Sequence, residues 1–153
     1  MTGSRKIRHF KPANQTWWKK PLVQYADGAI PAELAMLRAE LSAGEQGVWI
    51  NSRGTQTGVV DLIPTRASGG PSFATRRERL PQFISETLRD IYRKSGLSKG
   101  CPDLVIWDLK TQGIRFVEVK WRNRDRTSIE QEAFLKAAKT RGLLTVIAEW
   151  DFR

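Results

Sequence analysis

Two stretches of the sequence decide the fold: residues 103–109, DLVIWDL, and residues 114–121, IRFVEVKW. Both are short runs rich in β-branched and aromatic residues, which is typical of strands. They are joined by the short connection Thr111-Gln112-Gly113. Because short connections join neighbouring strands, we expect the two strands to lie side by side in one sheet.

The pattern continues to the end of the chain. A helix is predicted over residues 128–141, with Gly142 as its stop signal. Residues 143–150, LLTVIAEW, are predicted to form a further strand.

The first half predicts a similar alternation. Helices are expected over residues 31–43 and 80–95, strands over residues 47–51 and 57–63, and a loop over residues 64–79. Strands and helices in this order imply an α/β fold with a mixed central sheet flanked by helices.

Composition limits the possible functions. The 153 residues carry 26 Lys and Arg against 16 Asp and Glu, a net charge of +10. Such an excess favours a polyanionic partner, nucleic acid first and an anionic membrane surface second. A single cysteine, Cys101, and a single histidine, His9, exclude a disulfide framework and a zinc site built on several His or Cys ligands. No apolar run approaches the length of a membrane span.

The cations are dense at the start of the chain. Residues 1–26 contain no acid and include Trp17 and Trp18, so we interpret them as a basic N-terminal arm. Such an arm could contact phosphates and stack on bases, or it could be a solubilising tail. Residues 27–153 are then expected to form a single domain.

Three charged residues of the two central strands predict a functional site rather than a structural role. Asp103 opens its strand after Pro102, and Glu118 and Lys120 lie two residues apart, hence on one face of theirs. Two carboxylates beside an ammonium group form a hard-oxygen site for Mg²⁺ or Mn²⁺, to which the carbonyl of Val119 could add a ligand. The alternative is a solvent-facing strand with a weak ion pair, and Asp103 could equally cap a turn.

These residues resemble the signature of the PD-(D/E)xK nuclease superfamily, most closely that of the VRR-NUC domain. The similar segments are Gly100-Cys101-Pro102-Asp103-Leu104, then Phe116-Val117-Glu118-Val119-Lys120, then Asp125-Arg126-Thr127-Ser128 followed two residues later by Gln131. After Lys120 the family tends to have a small, glycine-containing loop, whereas this chain has the slightly longer Trp121-Arg122-Asn123-Arg124. The resemblance implies a restriction-endonuclease-like fold.

The resemblance also implies a Mg²⁺-dependent (or Mn²⁺-dependent) deoxyribonuclease. Its expected catalytic residues are Asp103, Glu118, Lys120, Gln131 and Glu33, and its expected metal ligands are Asp103, Glu118, Val119 and Glu33. Glu33 represents an acid that the family carries on its first helix; Glu40 is the alternative and Glu45 a weaker one. Gln131 has a second interpretation, because Ser128-x-x-Gln131 is also a capping box.

The resemblance extends to stand-alone proteins of this kind and to similar junction resolvases. It therefore implies a structure-specific endonuclease that acts on branched DNA, including Holliday junctions, as a homodimer. The alternatives are a sequence-specific or defence nuclease and a DNA-binding protein that has lost catalysis. The expected location is the cytoplasm, in a bacterial or phage context.

Four arginines are expected to contact DNA beside this site: Arg53, Arg122, Arg124 and Arg126. The alternative is a solvated run of charge. Cys101 is expected to be a small buried hydrophobic residue rather than a nucleophile.

Overall fold

A computed structural model describes residues 7–17, 20–26, 28–50, 56–67 and 70–153. The strands are β1 (Arg8–Trp17), β2 (Lys20–Tyr25), β3 (Gly28–Pro31), β4 (Glu45–Trp49), β5 (Thr57–Ala67), β6 (Gly70–Arg79), β7 (Leu104–Asp108), β8 (Ile114–Trp121) and β9 (Leu144–Phe152). The helices are α1 (Ala32–Glu40), α2 (Gln82–Ser95) and α3 (Ile129–Thr140). None of the helices described is long and apolar enough to cross a membrane.

The strands form one mixed sheet in the order β3-β2-β1-β9-β8-β7-β4-β5-β6. β9 runs parallel to both of its neighbours, and the other pairs are antiparallel. The predicted mixed sheet flanked by helices is therefore confirmed, and β8 has its predicted bounds.

Helices cover the two faces of the sheet, because alternate residues of each central strand point to opposite sides. Val117 and Val119 belong to a core cluster with the apolar residues of α1, whereas Phe116 packs in a second cluster with Ile84 of α2 and Phe134 of α3. Glu118 and Lys120 have the parity of Phe116, so they face the layer that contains α3.

Short local signals set the ends of the helices. α1 and α2 each begin after a proline, Pro31 and Pro81, whose fixed φ suits a helix start. Gly96 follows α2 with a φ of 70°, a left-handed conformation that glycine adopts without strain.

The segment predicted as a basic arm makes strands instead. Residues 8–17 and 20–25 are β1 and β2, and β1 extends the sheet beside the end of β9, where Phe10 pairs with Phe152. Phe10 is buried between His9 and Lys11, which are exposed. Arg8 and Pro12, which share the Phe10 side of the strand, are exposed as well, so this segment has no period-two alternation that could have revealed a strand.

The prediction of a loop over residues 64–79 is also wrong. Residues 64–67 complete β5 and residues 70–79 form β6, and the two strands are antiparallel, with Pro64 paired with Phe73. Prolines predicted a loop here because they cannot donate to a strand ladder. β6 is an edge strand, and among the described residues β5 pairs with β4 only at Val59, so in this part of the chain both strands have a side without a ladder partner, where proline is tolerated.

Candidate active site

Glu118 lies at the centre of the candidate site. It is on a central strand, flanked by Val117 and Val119, and its side chain is only 1% exposed. Its Oε1 accepts a hydrogen bond of 3.1 Å from Nε2 of Gln131. Within the described part of the chain, its Oε2 is buried and has no hydrogen-bond partner. Buried polar atoms normally have a partner, so an oxygen in this state is available to coordinate a cation.

Asp103 reaches the same point from the neighbouring strand. β7 begins at Leu104, opposite Val117, so Asp103 stands just before the ladder starts. There its Oδ2 accepts a hydrogen bond of 2.8 Å from the backbone N–H of Val119. Burial, reinforced by the neighbouring Asp103 carboxylate, raises the pKa of Glu118 well above its usual range, and the Lys120 ammonium opposes this rise only partly.

Lys120 completes the charged cluster. Its Nζ lies 3.6 Å from Oε1 of Glu118, 3.1 Å from Oε1 of Gln131 and 3.0 Å from the carbonyl oxygen of Arg126. An ammonium group has three hydrogens, so this environment holds the side chain in one place. The side chain is 12% exposed, which leaves it in contact with solvent at the mouth of the site.

Gln131 forms the predicted capping box and also contacts both Glu118 and Lys120. In the capping box its Oε1 accepts from the backbone N–H of Ser128 at 2.9 Å, and its own N–H donates to the Ser128 hydroxyl at 3.1 Å. Oε1 also accepts from Lys120. Since two donors converge on this oxygen, the amide nitrogen must point the other way, toward Glu118.

The donor set fits a hard divalent cation. Two carboxylates meet here, and one of them has a buried oxygen without a partner. Val119 adds a carbonyl, because the N–H and C=O of one strand residue point to the same side. Its N–H points to Asp103, where β7 has not yet begun. Oxygen ligands of this kind suit Mg²⁺ or Mn²⁺.

The structure does not bring Glu33 into this group. Glu33 lies in the first turn of α1, where its Oε1 is 2.5 Å from Nζ of Lys20. Lys20 also lies 5.5 Å from the ring centroid of Trp49, the partner of Leu104. Glu33 is therefore at the same end of the sheet as Asp103. Across the described residues, however, no three His, Cys, Asp or Glu side chains are grouped as metal ligands.

Glu40 and Glu45 form ion pairs with Arg115. Glu40 Oε2 lies 3.1 Å from Arg115, and Oε1 of Glu45 lies 3.0 Å from the same guanidinium. Glu45 pairs in the sheet with Asp108, at the opposite end of β7 from Asp103. These two acids therefore join α1 and β4 to β8 through Arg115, away from the candidate site.

The predicted DNA-contacting arginines follow β8. Arg122, Arg124 and Arg126 are exposed on the loop between Lys120 and α3, beside the candidate site. Arg53 lies outside the described residues.

Two contacts of this site are not among those expected from the sequence. The carbonyl of Arg126 holds Lys120, which no side-chain pattern could have revealed. Gly100 lies against the first turn of α3: a Cβ placed there would come within 2.5 Å of the carbonyl oxygen of Glu130. The glycine of the motif Gly-x-Pro-Asp was the sequence signal that could have indicated this close approach.

Cys101 is half-buried, and its thiol has the unreactive character that was expected. It packs against the cluster between the sheet, α2 and α3, and burial raises its pKa above its usual range. Because only the thiolate is a strong nucleophile, this environment disfavours nucleophilic chemistry.

Comparison with solved structures finds partial similarity to two crystal structures of paFAN1. One is bound to 2nt 5′ flap DNA with a gap: it is 22% identical, with a TM-score of 0.39, over 48% of this chain and 16% of that chain. The other is bound to 1nt 5′ flap DNA with a gap: it is 25% identical, with a TM-score of 0.37, over 48% of this chain and 14% of that chain. The similar part is thus a small share of those longer chains. No curated protein matches this chain.

Comparison with protein families finds a match to the VRR-NUC domain over residues 72–149. This segment, about half of the chain, contains Asp103, Glu118, Lys120 and Gln131 with the strands and helix that carry them. The chain accordingly belongs to the VRR-NUC family of nuclease domains.

Proposed function

We propose that this protein is a Mg²⁺-dependent or Mn²⁺-dependent DNA endonuclease that cleaves branched DNA, including Holliday junctions. One observation carries the proposal: Asp103, Lys120 and Gln131 converge on the buried carboxylate of Glu118, which has an oxygen without a partner in the described chain. An arrangement that leaves a buried acid incomplete costs stability, and such arrangements are concentrated at functional sites.

Each residue would have a defined task in hydrolysis of the phosphodiester. The carboxylates of Asp103 and Glu118 and the carbonyl of Val119 would hold the cation. When bound, a divalent cation lowers the pKa of a coordinated water and neutralises charge on the phosphate. Lys120 would position the attacking water or stabilise the charge that develops on the phosphoryl oxygens. Gln131 would hold the side chains of Glu118 and Lys120 in position through its hydrogen bonds.

Charge supports DNA as the substrate. The chain has a net charge of +10, and the arginines that follow β8 are exposed beside the cluster. Cations at that place would attract the backbone and align the phosphodiester with Lys120. The family resemblance supports branched DNA and a homodimer, which sedimentation with and without a junction would test.

The test is a cleavage assay on linear duplex, 5′-flap and four-way-junction DNA with Mg²⁺, Mn²⁺ or EDTA. We expect cleavage of the branched substrates with either metal, none in EDTA, and none by Asp103→Asn. Asp108→Asn is the matched control, because Asp108 lies at the far end of the same strand, capping a turn.

Other results would select another function. Cleavage of linear DNA at one sequence would favour a sequence-specific or defence nuclease. Tight binding without cleavage by the wild-type protein under every metal condition would indicate a DNA-binding protein that has lost catalysis.

Glu33 remains a candidate for a third metal ligand, provided that its ion pair with Lys20 opens. Its position at the site end of the sheet supports Glu33 over Glu40, which is engaged by Arg115. We expect Glu33→Gln to reduce cleavage at low Mg²⁺ concentration, with partial recovery at high concentration. Glu40→Gln should alter stability and leave the Mg²⁺ dependence unchanged.

A further inference from the structure

Trp121 ends the strand that carries Glu118 and Lys120, and its indole ring is stacked on both sides. The ring of Trp150 lies 5.2 Å away, inclined by 15°. The guanidinium carbon of Arg124 lies 5.0 Å from the Trp121 centroid. Because two rings this close leave no space between them, Arg124 must cover the opposite, outer face of Trp121.

The indole is held rigidly in this place. Its Nε1–H donates to Oδ1 of Asp151 at 3.2 Å, and Phe152 packs edge-on at 5.4 Å. The backbone N–H of Trp121 donates to Oδ2 of Asp125, and its carbonyl accepts from the N–H groups of Arg124 and Asp125. The loop is therefore folded around Trp121, and its ring is a preformed flat surface.

Of the groups stacked on the Trp121 ring, only the Arg124 guanidinium on the outer face can be replaced by a ligand. Trp49, Trp107 and Trp150 are core residues with 3–4% exposure, whereas Trp121 is partly exposed. Arg124 is itself exposed and forms no ion pair within the described chain. A guanidinium and a nucleobase both stack on an indole face, so one can replace the other.

We propose that Trp121 is a stacking platform for an unpaired nucleobase next to the phosphodiester that is cut, and that Arg124 occupies this platform until DNA binds. This inference rests on the proposed function and extends it to the feature of the DNA that is read. Trp121 lies three residues after Glu118, about 10 Å along the strand, and its side chain projects from the opposite face of β8, with Val117 and Val119. A base on this platform would reach it around the edge of β8, because within the described residues β7 pairs with β8 only as far as Val117.

On leaving the ring, Arg124 would present its planar fork of N–H groups to a phosphate of the same strand. Selection of branched DNA then has a physical reason. A fully paired duplex keeps its bases in the stack, whereas a branch point supplies a base that can leave it at little cost.

The test is a double-mutant cycle between Trp121 and one base. All proteins carry Asp103→Asn, so that DNA is bound and not cut. Flap DNA has either adenine or an abasic residue at an unpaired position within three nucleotides of the cleavage site mapped with the wild-type protein, each such position being tested in turn. With Trp121 present, removing the base at the contacted position should weaken binding by about 5- to 150-fold.

With Trp121→Leu, which keeps an apolar side chain but removes the aromatic face, removing the base should have no effect at any position. Trp121→Phe should restore part of the dependence. Trp107→Phe, a change at a buried tryptophan of β7, should leave it unchanged. Independent effects of Trp121→Leu and of base removal at every position would overturn the proposal.

A second measurement needs no change at Trp121. The fluorescent base 2-aminopurine at the unpaired position should be strongly quenched when the protein binds, because stacking on indole quenches it, whereas the same base five pairs into the duplex should not respond. Equal responses at the two positions would overturn the platform. Absence of DNA binding or of cleavage by the wild-type protein would instead overturn the proposed function.

Discussion

The side-chain amide of Gln131 donates to the Oε1 of Glu118 at 3.1 Å, and this bond joins the first turn of α3 to the central strand β8. The direction of the amide is fixed, since its oxygen already accepts from the N–H of Ser128 and from Lys120. A local helix cap and a buried acid 13 residues away therefore depend on one side chain. The start of α3 is thus positioned by the same residue that orients the candidate site.

Variants at the two ends of the capping box should separate these roles. Ser128→Ala removes the hydroxyl that accepts from the Gln131 N–H, but it leaves the Ser128 N–H that holds the amide. We expect a loss of about 1 kcal/mol in unfolding free energy, or about 2–4 °C in Tm, with cleavage retained. Gln131→Ala should cost similar stability and reduce kcat as well. Equal kcat losses in both variants would assign Gln131 to capping alone.

Glu118→Gln should raise stability while abolishing cleavage. The wild-type protein buries an acid at 1% exposure, beside Asp103 and with one oxygen lacking a partner in the described chain. An amide of the same shape avoids burying an ionisable group and still accepts from Gln131. Thermal unfolding in EDTA should show a higher midpoint for Glu118→Gln, and an unchanged midpoint for the exposed control Glu132→Gln. A clearly lower midpoint would mean that the carboxylate stabilises the fold.

Gly100→Ala should disturb the loop that carries Asp103. Gly100 has a φ of 111°, and a Cβ there would lie 2.5 Å from the carbonyl oxygen of Glu130. Gly142 is the matched control: its φ is 79°, but a Cβ would meet nothing within 4 Å. We expect Gly142→Ala to cost about 1 kcal/mol through backbone strain alone, and Gly100→Ala to cost more and to slow cleavage. Urea unfolding measures the difference, and equal costs would show that the contact with Glu130 relaxes.

Local patterns predicted the half of the fold that contains the site. Period-two alternation over residues 114–121 correctly placed β8, because Val117 and Val119 pack on one layer and Phe116 on the other. The spacing of Ser128 and Gln131 likewise predicted the capping box at the start of α3. These signals act over a few residues, so composition and spacing are sufficient to detect them.

The remaining features depend on contacts that are distant in sequence. β1 is stabilised by pairing with β9, as between Phe10 and Phe152, and no local pattern specifies such a partner. The ion pair of Glu33 with Lys20 depends on how β2 packs beside α1, and this placement decides where an acid on the first helix points. The family resemblance could nominate Glu33 but could not locate it.

The ion pairs of Arg115 should make stability fall in acid. Hydrogen bonds from Arg115 lower the pKa of Glu45 below its ordinary value of 4.5. A lowered pKa stabilises the folded protein fully above that ordinary value, and this contribution is lost as the pH falls through the lowered pKa. Glu45→Gln should therefore be less stable at pH 7 by about 1–3 kcal/mol, with a shallower decline between pH 5 and pH 3.

The control for that experiment is Glu132→Gln, an exposed carboxylate on α3. Its unfolding midpoint should follow that of the wild-type protein across the same pH range. Parallel pH profiles for Glu45→Gln and the wild-type protein would show that Arg115 and Glu45 do not contribute to acid sensitivity.

Arg122 and Arg126 should contribute to DNA affinity through phosphate contacts. Both are exposed, and Arg126 holds Lys120 with its backbone carbonyl, a contact that survives replacement of the side chain. For Arg122→Gln and Arg126→Gln, the slope of log K against log salt should become shallower by about 0.9 per lost contact on duplex DNA. Lys110→Gln, in the turn at the far end of β7 and β8, is the matched control.

Since Arg126 adjoins Lys120, its replacement should also slow cleavage at saturating DNA, because the phosphodiester would be less well aligned. An unchanged slope in both variants would mean that the phosphate contacts are made by other cations, of which the exposed Arg76, Arg77 and Arg79 of β6 are the first to test.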